Sequence, residues 1–93
     1  MAKWEASFYT AVEATDNEMG PLVPGQIYVL APSTDCFFKV AATGAGGAAS
    51  SAAGSHLCKA GGEKEIMTND ADMFIHVIRD TADGKATASK VSL

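Results

Sequence analysis

Four residues carry the side chains from which chemistry could be built: Cys36, His56, Cys58 and His76. A thiol beside an imidazole is a nucleophilic pair only where a positive environment keeps the sulfur ionised. Both cysteines lie in apolar runs, with no basic cluster and no helix start beside them. The same four residues invite a zinc reading. Structural zinc draws on two tight pairs, because two ligands from one turn set the geometry in advance. His56 and Cys58 are the single close pair; their spacing of two puts both on one face of a strand. The second pair is missing, and a lone histidine on an apolar strand, such as His76, reads as a satisfied core or groove residue. No metal and no cofactor is assigned.

The carboxylates Asp16, Glu18, Asp70, Asp72, Asp80 and Asp83 lie in or near loops, where aspartate closes turns. The segment Asp80-Thr81-Ala82-Asp83-Gly84 lacks the alternating oxygen ligands that wrap calcium. Gly44-Ala45-Gly46-Gly47 is not followed by a helix carrying a lysine, so a phosphate loop is excluded. Trp4, Tyr9 and Tyr28 could stack on sugars. Trp4 is in phase with Phe8, however, and a Trp-plus-Phe core stripe is the preferred reading. No catalytic residue emerges, and an enzyme is not expected.

The elements that would position these side chains are short strands. With 93 residues, one domain with a modest core is all the chain can build. The net charge of −4, with seven basic residues spread from Lys3 to Lys90, lacks the clustered lysine and arginine that nucleic acid requires. No run approaches the roughly 18 apolar residues of a membrane span, and no secretory pattern opens the chain. Synthesis in the cytosol is expected. The two cysteines then default to reduced, partly buried thiols, a disulfide between adjacent strands being the alternative.

Alternation of apolar and polar residues marks about seven strands, at positions 4–12, 26–30, 36–40, 56–59, 63–67, 73–79 and 85–93. Residues 15–21 read as a loop, Pro24-Gly25 as a type II turn, and Asp83-Gly84 as a hairpin turn. The last strand, polar and carrying Lys85 and Lys90, reads as a charged edge. On 73–79, Met73, Ile75 and Val77 share one face, and Phe74, His76 and Ile78 the other. Phe37 and Phe38 place one aromatic on each face of their strand. Residues 43–55, all Gly, Ala, Ser and Thr, read as a flexible hairpin loop. The fold expected is an all-β, small antiparallel β-sandwich in one domain spanning 1–93, with a jelly roll as one wiring.

The order of Gln26-Ile27-Tyr28-Val29-Leu30, Thr34-Asp35-Cys36-Phe37-Phe38-Lys39-Val40, the small-residue loop, His56-Leu57-Cys58-Lys59-Ala60-Gly61 and Met73–Arg79 resembles the small capsid decoration, or cement, proteins of tailed bacteriophages. The resemblance lies in layout from Gln26 onward and carries no catalytic or ligand residues. It implies a viral structural protein on the outer surface of the virion's capsid, made in the host cytoplasm. It further implies the major capsid protein as partner, a homo-oligomer (dimer or trimer), and no nucleic acid or membrane partner. The candidate partner-binding residues are Trp4 and Phe8 on the N-terminal segment, and Phe37 and Phe38 as aromatic anchors. Segment 1–12 could serve as an arm that adds to a capsid edge strand. The alternative is a receptor- or glycan-binding module of a phage fibre or surface protein, which would expose Trp4 and Tyr28 in a shallow groove.

Overall fold

The structure is a computed structural model that describes residues 3–44, 49–50 and 54–92. Eight strands follow in chain order: β1 (Lys3–Val12), β2 (Asn17–Met19), β3 (Tyr28–Pro32), β4 (Cys36–Ala42), β5 (His56–Cys58), β6 (Lys64–Ile66), β7 (Met73–Arg79) and β8 (Gly84–Ser92). They form two four-stranded antiparallel sheets, ordered β1-β8-β3-β6 and β2-β7-β4-β5. First pairs with last, second with seventh, third with sixth and fourth with fifth. One long hairpin rolled around itself leaves that pattern, which is the wiring of a jelly roll.

The sandwich interior is built from the inward positions of both sheets. Val12, Tyr28, Leu30, Ile66, Ala86 and Ala88 come from one, and Met19, Cys36, Phe38, Cys58, Ile75 and Val77 from the other. Phe8 and Val40 pack against this cluster at its margins. The strands alternate as their hydropathy requires: Ile75 and Val77 point inward, leaving His76 on the outer face of the second sheet. The turn at Pro24-Gly25 is type II, with Gly25 at φ 81° and the Gln26 amide bonded to the Val23 carbonyl at 3.1 Å.

Several expectations need correction. The segment 15–21 is not all loop, since β2 lies within it and makes the eighth strand. Among the described residues only β4 and β5 are both consecutive in the chain and paired; the other connections pass from one sheet to the other. Asp83-Gly84 is therefore not a hairpin turn. Neither residue has the positive φ that a type I′ turn needs. Gly84 is instead demanded by space: a Cβ there would stand 2.7 Å from Thr34 Cγ2 and 2.8 Å from Ser33 Oγ.

The last strand is not an edge either. β8 runs between β1 and β3, and its inward Ala86 and Ala88 are buried beneath larger neighbours. Alanine carries little hydropathy signal, so a central strand with small inward residues looks like a polar edge. Within segment 1–12, which could serve as an arm, the described residues 3–12 form the edge strand β1, paired with β8 from Lys3↔Ser92 to Val12↔Gly84. The register shifts between Ala6 and Phe8. This bulge breaks the alternation on which a shared face for Trp4 and Phe8 rested.

Candidate functional site

The strand register lays out the outer face of the β2-β7-β4-β5 sheet as rows. Leu57 on β5, Phe37 on β4 and Ile78 on β7 are direct cross-strand partners. They form an apolar row across three strands, in which Leu57 is 39% exposed and Phe37 and Ile78 are half-buried. The next row is charged: Lys39 on β4, His76 on β7 and Glu18 on β2.

His76 is fully buried although it faces away from the core. Its Nδ1 lies 2.9 Å from Asp16 Oδ2 and its Nε2 lies 2.8 Å from the Ala42 carbonyl. Both partners are acceptors, so the arrangement favours the imidazolium form, which donates from both nitrogens. Burial by itself would lower its pKa. The Asp16 hydrogen bond, the Ala42 carbonyl and the charges of Asp16 and Glu18 outweigh burial and leave the pKa raised. Glu18 Oε2 stands 3.6 Å from Nε2 and completes the anionic surround.

The carboxylates also hold the chain that follows β4. Asp16 Oδ1 accepts the Ala49 amide at 2.8 Å, and Glu18 Oε1 accepts the Thr43 hydroxyl. Ala49 is buried. Two points of the small-residue segment are thus fastened to the outer face of the sheet. The expectation of a flexible loop falls mainly on residues 45–48 and 51–53, which lie outside the described residues.

The ligand atoms of Asp16, Glu18 and His76 lie within 4.8 Å of one another, a His-and-two-carboxylate set of the kind that can hold a divalent cation. As arranged, however, a cation would have to expel a ring proton and break the Asp16 or Ala42 hydrogen bond. The same saturation leaves the ring no lone pair with which to act as a general base. What the cluster does chemically is bind a proton and staple a loop. From sequence alone Asp16 and Glu18 read as turn residues, and their i, i+2 spacing at the start of β2 is the one local signal that joins them.

The four chemistry-bearing residues do not converge. His56 and Cys58 pair with Phe38 and Cys36 at inward positions, while His76 is on the far face of the same sheet. Burial pushes the Cys36 thiol up to about 12, with the neighbouring Cys58 and Asp35 adding to it. Burial also raises Cys58, against the pull of Lys64. Neither thiol is poised as a nucleophile. His56 is exposed and stacks against Phe38, with ring centroids 5.6 Å apart.

The four candidate partner-binding residues are likewise divided. Phe8 packs on Tyr28 with centroids 5.8 Å apart, and Phe38 is only 9% exposed within the core. Of the pair 37 and 38, Phe37 alone faces outward; the side chain of Trp4 lies outside the described residues. Tyr28, which the sugar-binding alternative needs exposed, is 2% exposed. Its hydroxyl accepts the Val23 amide at 3.0 Å. An open cleft of about 430 Å³ does lie beside β5 and β6, lined by Phe38, Val40, His56, Glu65, Ile66 and Met67.

Fold and surface together define a jelly-roll β-sandwich with an apolar row on one outer face. Comparison with protein-family models, with curated proteins and with solved structures returned no match.

Proposed function

We propose that this protein is a structural component of a tailed-phage virion, a decoration protein that docks on the outside of the capsid and stabilises it. The observation that carries the reading is the row Leu57–Phe37–Ile78 on the outer face of the second sheet, beside the charged row of Lys39, His76 and Glu18. A solvated antiparallel sheet normally alternates apolar-in and polar-out. An apolar row spanning three strands of the solvent side favours contact with another protein, and its central aromatic is the natural anchor. The open edge of β1 offers a second contact, by backbone pairing. The layout resemblance noted above points the same way and supplies the partner, the major capsid protein.

The test is co-sedimentation with purified tailed-phage capsid shells. The wild-type chain is expected to pellet with shells, and Phe37→Glu to bind roughly thirtyfold more weakly, the ~2 kcal/mol of a buried aromatic anchor. Val23→Glu, at a side chain 59% exposed in the turn before β3 and outside both proposed contacts, is expected to bind as wild type. Failure of the wild-type chain to pellet, or equal binding by Phe37→Glu, overturns the reading.

One observation favours the alternative, a receptor- or glycan-binding module: the cleft beside His56, where Met67 is 52% exposed. Loss of the Tyr28 platform weakens it. Chemical-shift changes at His56 and Met67 on adding sugars would move it to first place.

A further inference from the structure

Cys36 and Cys58 are direct partners across the β4–β5 ladder. Both side chains point into the sandwich, both are fully buried, and both are free thiols. Opposite residues in an antiparallel pair have Cα atoms about 4.5–5.5 Å apart, inside the ~4.4–6.8 Å that a disulfide spans. Packing here needs only two small apolar side chains. The register instead supplies two thiols on neighbouring strands with no third partner between them, apart from a weak contact of Cys58 Sγ with the Lys59 carbonyl at 3.9 Å.

We infer that Cys36 and Cys58 are a thiol pair set to close into a cross-strand disulfide that clips the β4–β5 hairpin when the protein meets an oxidising environment. The hairpin is where a clip would matter most. β5 is three residues long and is held on one side only, at the end of its sheet. The segment joining it to β4, residues 43–55, is made only of Gly, Ala, Ser and Thr. A covalent link across its base restricts the unfolded chain and holds the edge strand in register.

The chemistry balances with glutathione disulfide as oxidant. The Cys58 thiolate attacks one sulfur of glutathione disulfide, breaking that S–S bond and releasing a glutathione thiolate. The Cys36 thiolate then attacks Cys58 Sγ in the mixed disulfide and releases the second glutathione thiolate. Two electrons have passed to the oxidant, and the two cysteine protons end on two glutathione thiols. Cys58 reacts first because β5 can fray from the sheet edge, whereas Cys36 lies on a strand paired on both sides. Burial keeps both thiols protonated in the closed form, so exchange proceeds through the opened hairpin and is slow. Where oxidation would occur rests on the proposed function: a virion leaves the reducing cytosol when its host lyses. The pairing itself does not depend on that reading.

The test uses the full reduced chain, freed of reductant and incubated with glutathione disulfide, in buffer and in urea below the unfolding midpoint. Intact mass and thiol titration after unfolding are then read. The expected product is a monomer lighter by two hydrogens, with no titratable thiol and a melting temperature higher by several degrees that dithiothreitol restores. Oxidation is expected to be faster in urea. Cys36→Ala is expected to stop at one bound glutathione with no rise in melting temperature, although the wild-type arms decide alone. Two thiols still titratable after prolonged incubation in urea, a disulfide only between chains, or an oxidised monomer that melts lower would each overturn the inference. No capsid enters this experiment, so its failure and failure of the docking reading are distinguishable.

Discussion

His76 is set to hold a proton on each ring nitrogen, because its neighbours Asp16 and the Ala42 carbonyl present acceptors to both. The groups facing it are Asp16 before β2, Glu18 on β2 and Lys39 on the adjacent β4. Its folded pKa lies above the ordinary imidazole value of 6.5. The stabilisation is therefore fully present below the unfolded value and is lost as pH rises through the folded one. Thermal melts from about pH 6 to pH 9 should fall with rising pH. His76→Gln should flatten that dependence and lower stability at about pH 6 by roughly 2–3 kcal/mol, the worth of charge-assisted hydrogen bonds at a buried site. A variant that keeps the wild-type pH slope would show that another group titrates. At this scale the sequence was legible in part. His76 was placed correctly on the face opposite Ile75 and Val77, because strand alternation is local. Its partners were not: Asp16 is sixty residues away in the chain, and no local rule links the two.

Among the elements, β1 and β8 depart furthest from what their residues suggest. β8 reads as a polar edge yet sits between β1 and β3, its inward Ala86 and Ala88 lying beside Pro32 and Leu30 in the ladder. β1 supplies Val12 and Phe8 to the interior and covers one side of β8. Burying such side chains is worth roughly 1.5–3 kcal/mol each, against a total of about 5–15 kcal/mol for a domain. Deleting residues 1–12 is accordingly expected to abolish cooperative thermal unfolding, read by circular dichroism. A truncated chain that still melts in one sharp transition would show β1 to be dispensable, as an arm would be. Elements bounded by strong turn chemistry, such as β3 after Pro24-Gly25, were found from sequence within two residues. β2 was missed because three residues are too few to show a period.

The whole molecule is a sandwich with short edges on the β5 and β6 side and a long open edge at β1. The apolar row lies on one broad face. Small β domains with such features shield them by association. Light scattering is expected to give a dimer or trimer, two or three times the 9.6 kDa chain mass. A monomer at about 100 μM, well above the micromolar range of ordinary association, would overturn self-association. It would leave Phe37 to a different partner.

By itself the sequence determined the all-β class, the positions of most strands and the division of β7 into its two faces. Those follow from a period of two and from turn residues, both of which act over a few neighbours. Which strand pairs with which was decided only by the tertiary structure. Asp83-Gly84 had the composition of a hairpin turn, yet a crowded crossing against Ser33 and Thr34 holds Gly84. The Cys36–Cys58 register, the apolar row and the His76 staple all follow from that wiring, because each joins residues that only a rolled sheet brings together.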